Sequence, residues 1–137
     1  YSHLGMSHRY AIGKGDYDPS LPFEKNNLTG SRARFWMTNE INALYPSTVV
    51  GGPSNGWIYQ SMRASKKIAK KMKRIQVPVL MFQAGADQLV KPDRQSAGCF
   101  AAAQCTLVNY PYSQHEILME RDIIRDSAFR RIQQFFQ

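Results

Sequence analysis

The pattern of apolar and polar positions changes near Ile75 and divides the chain into two parts of different character. The first part is rich in Tyr, Asn, Gly and Pro and shows no sustained period-2 alternation. Its glycine and proline breakers predict a loop over residues 10–19. A helix is predicted over residues 31–44, with Ser31 as its N-cap and Pro46 ending it.

A second, amphipathic helix is predicted from Trp57 to Ile75. Its apolar members recur close to a 3.6-residue period and form one stripe: Ile58, Met62, Ile68, Met72 and Ile75. The rest of its surface carries seven positive charges: Arg63, Lys66, Lys67, Lys70, Lys71, Lys73 and Arg74. The chain has no acidic residue between Trp57 and Ala86, so this helix is strongly basic.

The part of the chain after Ile75 predicts a strand, a helix, a strand and a helix. A continuous apolar run at 77–82 is typical of a parallel strand buried on both faces. A helix over 92–103, a strand over 106–109 and a closing helix over 117–136 complete an α/β pattern with a crossover. Two parallel strands do not make a self-sufficient sheet, so we expect the C-terminal part of a larger α/β domain.

Composition narrows the class of protein. The 137 residues include 18 Lys and Arg against 10 Asp and Glu, a net charge of +8, and 43% are hydrophobic. These values exclude a disordered chain, and no apolar run is long enough to span a membrane. Two cysteines, Cys99 and Cys105, are too few for a disulfide framework or a four-ligand zinc site. Pairing between them is open, but two reduced thiols are expected.

Two side chains that can carry chemistry follow the predicted strands. Asp87 follows the first strand and His115 the second, and the carboxyl ends of parallel strands meet at one edge of a sheet. A carboxylate that accepts the imidazole Nδ1–H fixes the tautomer and leaves Nε2 to take a proton. The alternatives are an aspartate that caps a turn and a histidine that is merely solvated or packed.

Three stretches carry a resemblance to a known family: residues 79–90 around Asp87, His115–Glu120, and Arg9–Gly15 together with residues 51–57. The first two resemble the C-terminal half of the α/β-hydrolase superfamily, in its monoglyceride-lipase and lysophospholipase branch, which is grouped with serine aminopeptidases. The third is similar, more narrowly, to the bacterial lysophospholipases.

This resemblance implies a cap and connection over residues 1–56 and the C-terminal part of the hydrolase core over 57–137. It implies Asp87 as the acid and His115 as the base of a catalytic triad, with no metal or organic cofactor. The nucleophilic serine of such enzymes lies in Gly-x-Ser-x-Gly before the cap, which places it upstream of Tyr1. The chain alone is therefore expected to be inactive and to need the missing N-terminal half. Apolar residues of the cap line an acyl-chain pocket or pack between cap and core: Leu21, Phe23, Phe35, Trp36 and Met37.

Residues 52–56 also read Gly-x-Ser-x-Gly, with Ser54 in the place of the nucleophile. Only three residues with strand character, 48–50, precede this serine, too few for the strand that presents a nucleophile. Ser54 also lies only 33 positions before Asp87, with one predicted helix and no strand between them. We therefore predict a turn and a helix N-cap at Ser54.

The expected function is hydrolysis of lysophospholipids or monoacylglycerols. Other α/β-hydrolase activities (thioesterase, peptidase, epoxide hydrolase) stay open, because the fold hosts many chemistries. A non-enzymatic alternative is a basic module on anionic membrane surfaces, which salt-sensitive vesicle binding without ester hydrolysis would favour. Nucleic-acid binding is not expected, because no reading elements are interleaved with the charges. We expect a cytoplasmic location, with peripheral contact with the inner membrane left open.

Overall fold

The structure is a computed structural model, and it describes residues 5–137. Helices and strands follow in the order α1 (Arg32–Leu44), α2 (Asn55–Lys71), β1 (Val79–Ala84), α3 (Pro92–Ala101), β2 (Cys105–Tyr110) and α4 (Asp122–Phe135). Short 3₁₀ turns occupy Phe23–Lys25, Pro46–Thr48, Met72–Arg74 and Ile117–Met119. The chain divides into two units. The first holds the residues up to Ser20 and Asn39–Lys71, and the second holds Leu21–Thr38 and Met72–Gln137.

The second unit contains the predicted α/β arrangement. Strands β1 and β2 pair in parallel, with Val79 opposite Cys105 and Ala84 opposite Tyr110, and α3 makes the crossover between them. Helix α4 packs its apolar face on the sheet, and the buried centre consists of Tyr110, Ile124 and Ala128. Because the two strands run in the same direction, the loops that follow them leave the sheet at the same edge.

Strand β1 is less buried than its sequence predicts. Residues 79–82 are half-buried, whereas a continuous apolar run predicted burial on both faces. Among the described residues β1 pairs with β2 alone, so one side of the pair leaves part of its apolar surface accessible. The α/β class is confirmed, and the complete burial of the strand is wrong for this chain.

The closing helix begins later than predicted. It starts at Asp122, because residues 117–119 form a 3₁₀ turn and the backbone at Glu120 is extended, with φ −73° and ψ 174°. The Glu120 side chain accepts hydrogen bonds from three backbone amides, which holds the chain in this non-helical path. The apolar residues of this turn continue the periodic pattern of the helix, so the sequence pattern did not predict the break between them.

Cys99 and Cys105 form a disulfide, which corrects the expectation of two reduced thiols. Cys99 lies near the end of α3 and Cys105 begins β2, and their Cα atoms are 5.3 Å apart. Separations of this size fall in the usual range for a disulfide. The short connection from α3 to β2 therefore brings together two cysteines that sequence separation alone did not pair.

The first unit is built on a loop that lies against the start of α2. The Gly52 amide donates to the Gly15 carbonyl at 2.7 Å, and Tyr10 forms an isolated antiparallel bridge with Ser54. A Cβ on Gly51 would lie 2.8 Å from Tyr10 Oη and 3.0 Å from the Gly15 carbonyl oxygen, so a side chain there would force these groups to shift. The two segments that resemble the bacterial lysophospholipases more narrowly, residues 9–15 and 51–57, therefore pack on each other.

Helix α2 exposes both of its faces along most of its length. All residues of 62–71 are exposed, including the apolar side chains of Met62 (56%) and Ile68 (57%) as well as the lysines. The predicted apolar stripe is buried only at Met72, beyond the helix end. Contact of the basic residues with an anionic membrane stays a prediction. Within residues 5–137, no helix combines the length and the apolar character needed to cross a bilayer.

Candidate active site

Asp87 and His115 meet at the carboxyl edge of the β1–β2 pair. His115 Nδ1 lies 2.9 Å from Asp87 Oδ2, and the Asp87 side chain is only 5% exposed whereas that of His115 is 35% exposed. A proton on Nδ1 is donated to the carboxylate, which leaves Nε2 as the ring nitrogen that exchanges a proton. The structure therefore has the predicted proximity of the two side chains, with the histidine accessible and the carboxylate covered.

The second oxygen of Asp87 caps its own turn. Oδ1 accepts hydrogen bonds from the backbone amides of Leu89 at 2.7 Å and Val90 at 3.0 Å. Burial raises the pKa of Asp87, but the hydrogen bonds from His115, Leu89 and Val90 outweigh it, and the pKa lies below its ordinary value. Turn-capping and histidine-binding, which the sequence offered as alternatives, are both performed by this one carboxylate.

Backbone hydrogen bonds join the loop of the aspartate to the loop of the histidine. The Gly85 amide donates to the Tyr110 carbonyl at 2.9 Å, and the Ala86 amide donates to the Ser113 carbonyl at 3.0 Å. A Cβ on Gly85 would lie 2.6 Å from Pro111 Cα, closer than real Cβ contacts come. Gly85 therefore allows the two loops to approach, a role that the sequence analysis missed although the glycine stands two residues before Asp87.

The histidine loop is also held by the segment that precedes α1. The Glu116 amide donates to the Leu28 carbonyl at 2.8 Å, and Thr29 Oγ1 donates to the Met119 carbonyl at 2.6 Å. Both contacts lie within the second unit. Part of the predicted cap region thus packs directly on the histidine loop, while the predicted boundary between cap and core at residue 56 stays a prediction.

Ser54 has a structural partner in the first unit. Its Oγ accepts a hydrogen bond from the Trp57 amide at 3.2 Å, and its carbonyl accepts the first helical bond, from Ile58, at 3.0 Å. This is the geometry of an N-cap residue at the start of α2. The prediction of a turn and an N-cap at residues 52–56 is confirmed.

Other predicted positions contribute packing rather than polar chemistry. Phe35 is buried, its ring lies 5.6 Å from that of Phe23 and 5.1 Å from that of Trp36, and both pairs meet edge to face. Within the described part of the chain, no three His, Cys, Asp or Glu side chains are grouped to hold a metal ion. The predicted polar side chains that the structure brings into contact in the second unit are those of Asp87 and His115.

Comparison with known proteins places the chain among hydrolases. The model of the family described as "Serine aminopeptidase, S33" matches residues 19–122. The chain is 31% identical to the probable lysophospholipase L2 of Haemophilus influenzae, covering 96% of this chain and 42% of that protein. It is 32% identical to lysophospholipase L2 of Escherichia coli K12, covering 93% of this chain and 39% of that protein. The chain thus spans about two fifths of the length of these relatives.

A solved structure has a similar fold. The chain superposes on a soluble variant of monoglyceride lipase from Saccharomyces cerevisiae, in complex with a substrate analogue, with a TM-score of 0.63 and 21% sequence identity. The match covers 88% of this chain and 42% of that one. The arrangement of strands and helices is therefore that of part of an α/β-hydrolase fold.

Proposed function

Because the chain belongs to the serine aminopeptidase S33 family of α/β-hydrolases, we propose that Asp87 and His115 are the acid and the base of a Ser-His-Asp triad. The observation that carries this proposal is the 2.9 Å contact between His115 Nδ1 and Asp87 Oδ2 at the carboxyl edge of the strand pair. A buried, ionised carboxylate beside an accessible imidazole is what a general base requires, because the carboxylate stabilises the imidazolium that forms during the reaction.

The reaction proceeds in two steps through an acyl-enzyme. Nε2 of His115 takes the proton of the serine hydroxyl as that oxygen attacks the ester carbonyl, and it then gives the proton to the departing alcohol. A water molecule deprotonated by the same nitrogen attacks the acyl-enzyme, and Nε2 returns that proton to the serine oxygen as the fatty acid leaves. Asp87 stays ionised throughout and keeps the ring in the tautomer that leaves Nε2 unprotonated before each step.

The nucleophile of this reaction belongs to a segment outside the 137 residues. Ser54 is a poor candidate, because its hydroxyl oxygen accepts a helix-capping hydrogen bond and residues 5–53, as the structure describes them, contain no strand before it. The backbone donors that stabilise the tetrahedral oxyanion belong to the same outside segment, and loss of one such donor costs about 10²–10³-fold in rate. The chain by itself is therefore inert toward esters.

The substrate class is monoacyl lipid esters, namely lysophospholipids or monoacylglycerols. Two curated relatives are named lysophospholipases, and the structural neighbour is named a monoglyceride lipase. The edge-to-face aromatic cluster of Phe23, Phe35 and Trp36 supplies apolar surface suited to an acyl chain, since Trp36 remains 45% exposed.

The test measures hydrolysis of a lysophospholipid by the full-length protein and by its His115→Ala variant. We expect kcat to fall by about 10³-fold or more with the fold intact, because the general base is lost. His8→Ala is the matched control, since His8 is an exposed histidine of the first unit, and it should hydrolyse normally. Near-normal turnover by a folded His115→Ala protein would overturn the proposal.

A further inference from the structure

Glu120 is a fully buried carboxylate that the triad chemistry does not use. Its side chain has no solvent exposure, and its oxygens accept hydrogen bonds from three backbone amides. Oε1 accepts from Gly30 at 2.8 Å and from Gln114 at 2.9 Å, and Oε2 accepts from Arg121 at 3.1 Å. The Arg121 guanidinium also lies near, with Nε 3.8 Å from Oε2. A buried carboxylate persists only where donors replace its lost water, and here the donors are main-chain groups.

One of these amides links Glu120 to the candidate active site. Gln114 immediately precedes His115, so the Glu120 carboxylate fixes the backbone on one side of the histidine. On the other side, the Glu116 amide is fixed by the Leu28 carbonyl at 2.8 Å. Hydrogen bonds thus hold the backbone on both sides of His115. They fix the position of its Cα independently of the contact between its imidazole and Asp87.

The segment from Leu28 to Arg34, which contacts the histidine loop through Leu28, also packs on the Glu120 carboxylate. A Cβ on Gly30 would lie 3.0 Å from Glu120 Oε2 and 3.1 Å from Oε1, so the approach of the Gly30 amide depends on the absence of a side chain. Arg34 Nη1 donates to the Glu120 carbonyl at 2.6 Å and so holds the main chain as well as the side chain. Glu120 therefore ties Gly30 and Arg34 to the histidine loop.

We propose that Glu120 is a positioning residue that holds His115 in register with Asp87 through the Gln114 amide. This role rests on the proposed function, because it assumes that the imidazole of His115 reacts. A displacement of about 1 Å at a reacting group costs on the order of 10²-fold in rate. Loss of Glu120 should accordingly lower kcat by about that factor and leave KM nearly unchanged, since the Glu120 side chain has no exposed surface with which to contact a substrate.

The Glu120→Gln variant tests whether the hydrogen bond to the Gln114 amide or the negative charge of Glu120 matters. Glu120→Gln retains one side-chain oxygen, which can still accept from Gly30 and Gln114, and loses the bond from the Arg121 amide, because an NH₂ group cannot accept it. We expect Glu120→Gln to stay within about tenfold of the parent kcat, because the bond beside His115 is kept, whereas Glu120→Ala falls by about 10²-fold. Gly30→Ala, whose added methyl group presses on the carboxylate, should lie between them.

The experiment uses the full-length protein with two readouts. The first is kcat and KM for lysophospholipid hydrolysis. The second is the NMR signal of the proton between His115 Nδ1 and Asp87, which reports the hydrogen bond without requiring turnover. Met72→Ala is the control for destabilisation alone, because Met72 is buried in the same unit beside Gly98 of α3 and makes none of these contacts. It should weaken the fold and leave both readouts unchanged.

The expected result is that Glu120→Ala shifts or broadens the His115 proton signal and lowers kcat, while Glu120→Gln largely restores both. An unchanged signal in Glu120→Ala, or a loss equalled by Met72→Ala at matched stability, would overturn the proposal. If Glu120→Ala does not fold, Glu120→Gln and Gly30→Ala decide the question on the same two readouts. Retained hydrolysis in His115→Ala would instead refute the proposed function, and the NMR readout would still decide whether Glu120 positions the histidine.

Discussion

The turn at Ser54 and the loops of Asp87 and His115 both carry residues that match hydrolase motifs, but their side chains engage different partners. The hydroxyl oxygen of Ser54 accepts from the Trp57 amide and completes the first turn of α2. The carboxylate of Asp87 has one oxygen on its own turn and the other on the imidazole of His115. One motif is used for helix formation, whereas the other brings together two functional groups that are 28 positions apart in sequence.

This difference shows that the element before a motif decides which partner its side chain reaches. Asp87 and His115 each follow a strand of a parallel pair, so the sheet brings their side chains to one edge. Ser54 follows a 3₁₀ turn and an irregular segment and precedes a helix, where a serine stabilises the free amides of the first turn. Substitutions in each region should therefore affect different quantities.

The largest expected effect within the comparison is on turnover, at Asp87. In the full-length protein, Asp87→Asn should lower kcat by about 10⁴-fold, because an amide can hold the imidazole in the tautomer whose Nε2 is protonated. Asp93→Asn, an exposed aspartate in the first turn of α3, is the matched control and should retain activity. Lysophospholipid hydrolysis measures both variants, and a loss of less than tenfold in Asp87→Asn would contradict the assignment of the acid.

A smaller effect, on stability and turnover together, is expected at Gly85. The methyl group of Gly85→Ala would meet Pro111 Cα at 2.6 Å and force apart the loops that carry Asp87 and His115. Overpacking of this kind costs about 1–3 kcal/mol in the free energy of unfolding. Gly15→Ala is the control, because a Cβ there meets no atom within 4 Å. Denaturant unfolding and kcat should both change for Gly85→Ala, and equal behaviour of the two variants would show that the close approach is unimportant.

The smallest effect is expected at Ser54 and concerns stability alone. Ser54→Ala should cost about 0.5–2 kcal/mol in unfolding free energy, the usual range for loss of an N-cap, and leave ester hydrolysis unchanged. Ser54→Asp should recover stability, because a carboxylate also caps the first turn and favours the helix N-terminus. Covalent labelling with a fluorophosphonate provides the decisive check. Labelling of Ser54 in the 137-residue chain, abolished by Ser54→Ala, would show that Ser54 is the nucleophile. It would contradict the assignment of Ser54 to helix capping alone.

Local sequence determined the kind of each element and much of the candidate site. Periodicity and caps indicated α1 with Ser31 before it, and Ser31 Oγ indeed accepts from the Arg34 amide at 3.4 Å. The apolar run at 77–82 indicated a parallel strand, and polar residues after two such strands indicated where Asp87 and His115 would meet. These inferences succeeded because they depend on local periodicity and capping, and on the rule that parallel strands end at one edge of a sheet.

Apart from the meeting of Asp87 and His115, tertiary structure alone decided which side chains and loops come into contact. The Cys99–Cys105 disulfide depends on where α3 ends relative to β2, and the late start of α4 depends on the amides that Glu120 binds. The contact between Gly30 and Glu120 joins residues 90 positions apart, and no local pattern specifies it. Such contacts follow from the packing of whole elements, because a buried polar group accepts whichever donors the assembled fold brings to it. The burial of β1 and of the α2 stripe depends in the same way on neighbouring elements, which is why their apolar patterns did not predict the exposure that the structure has.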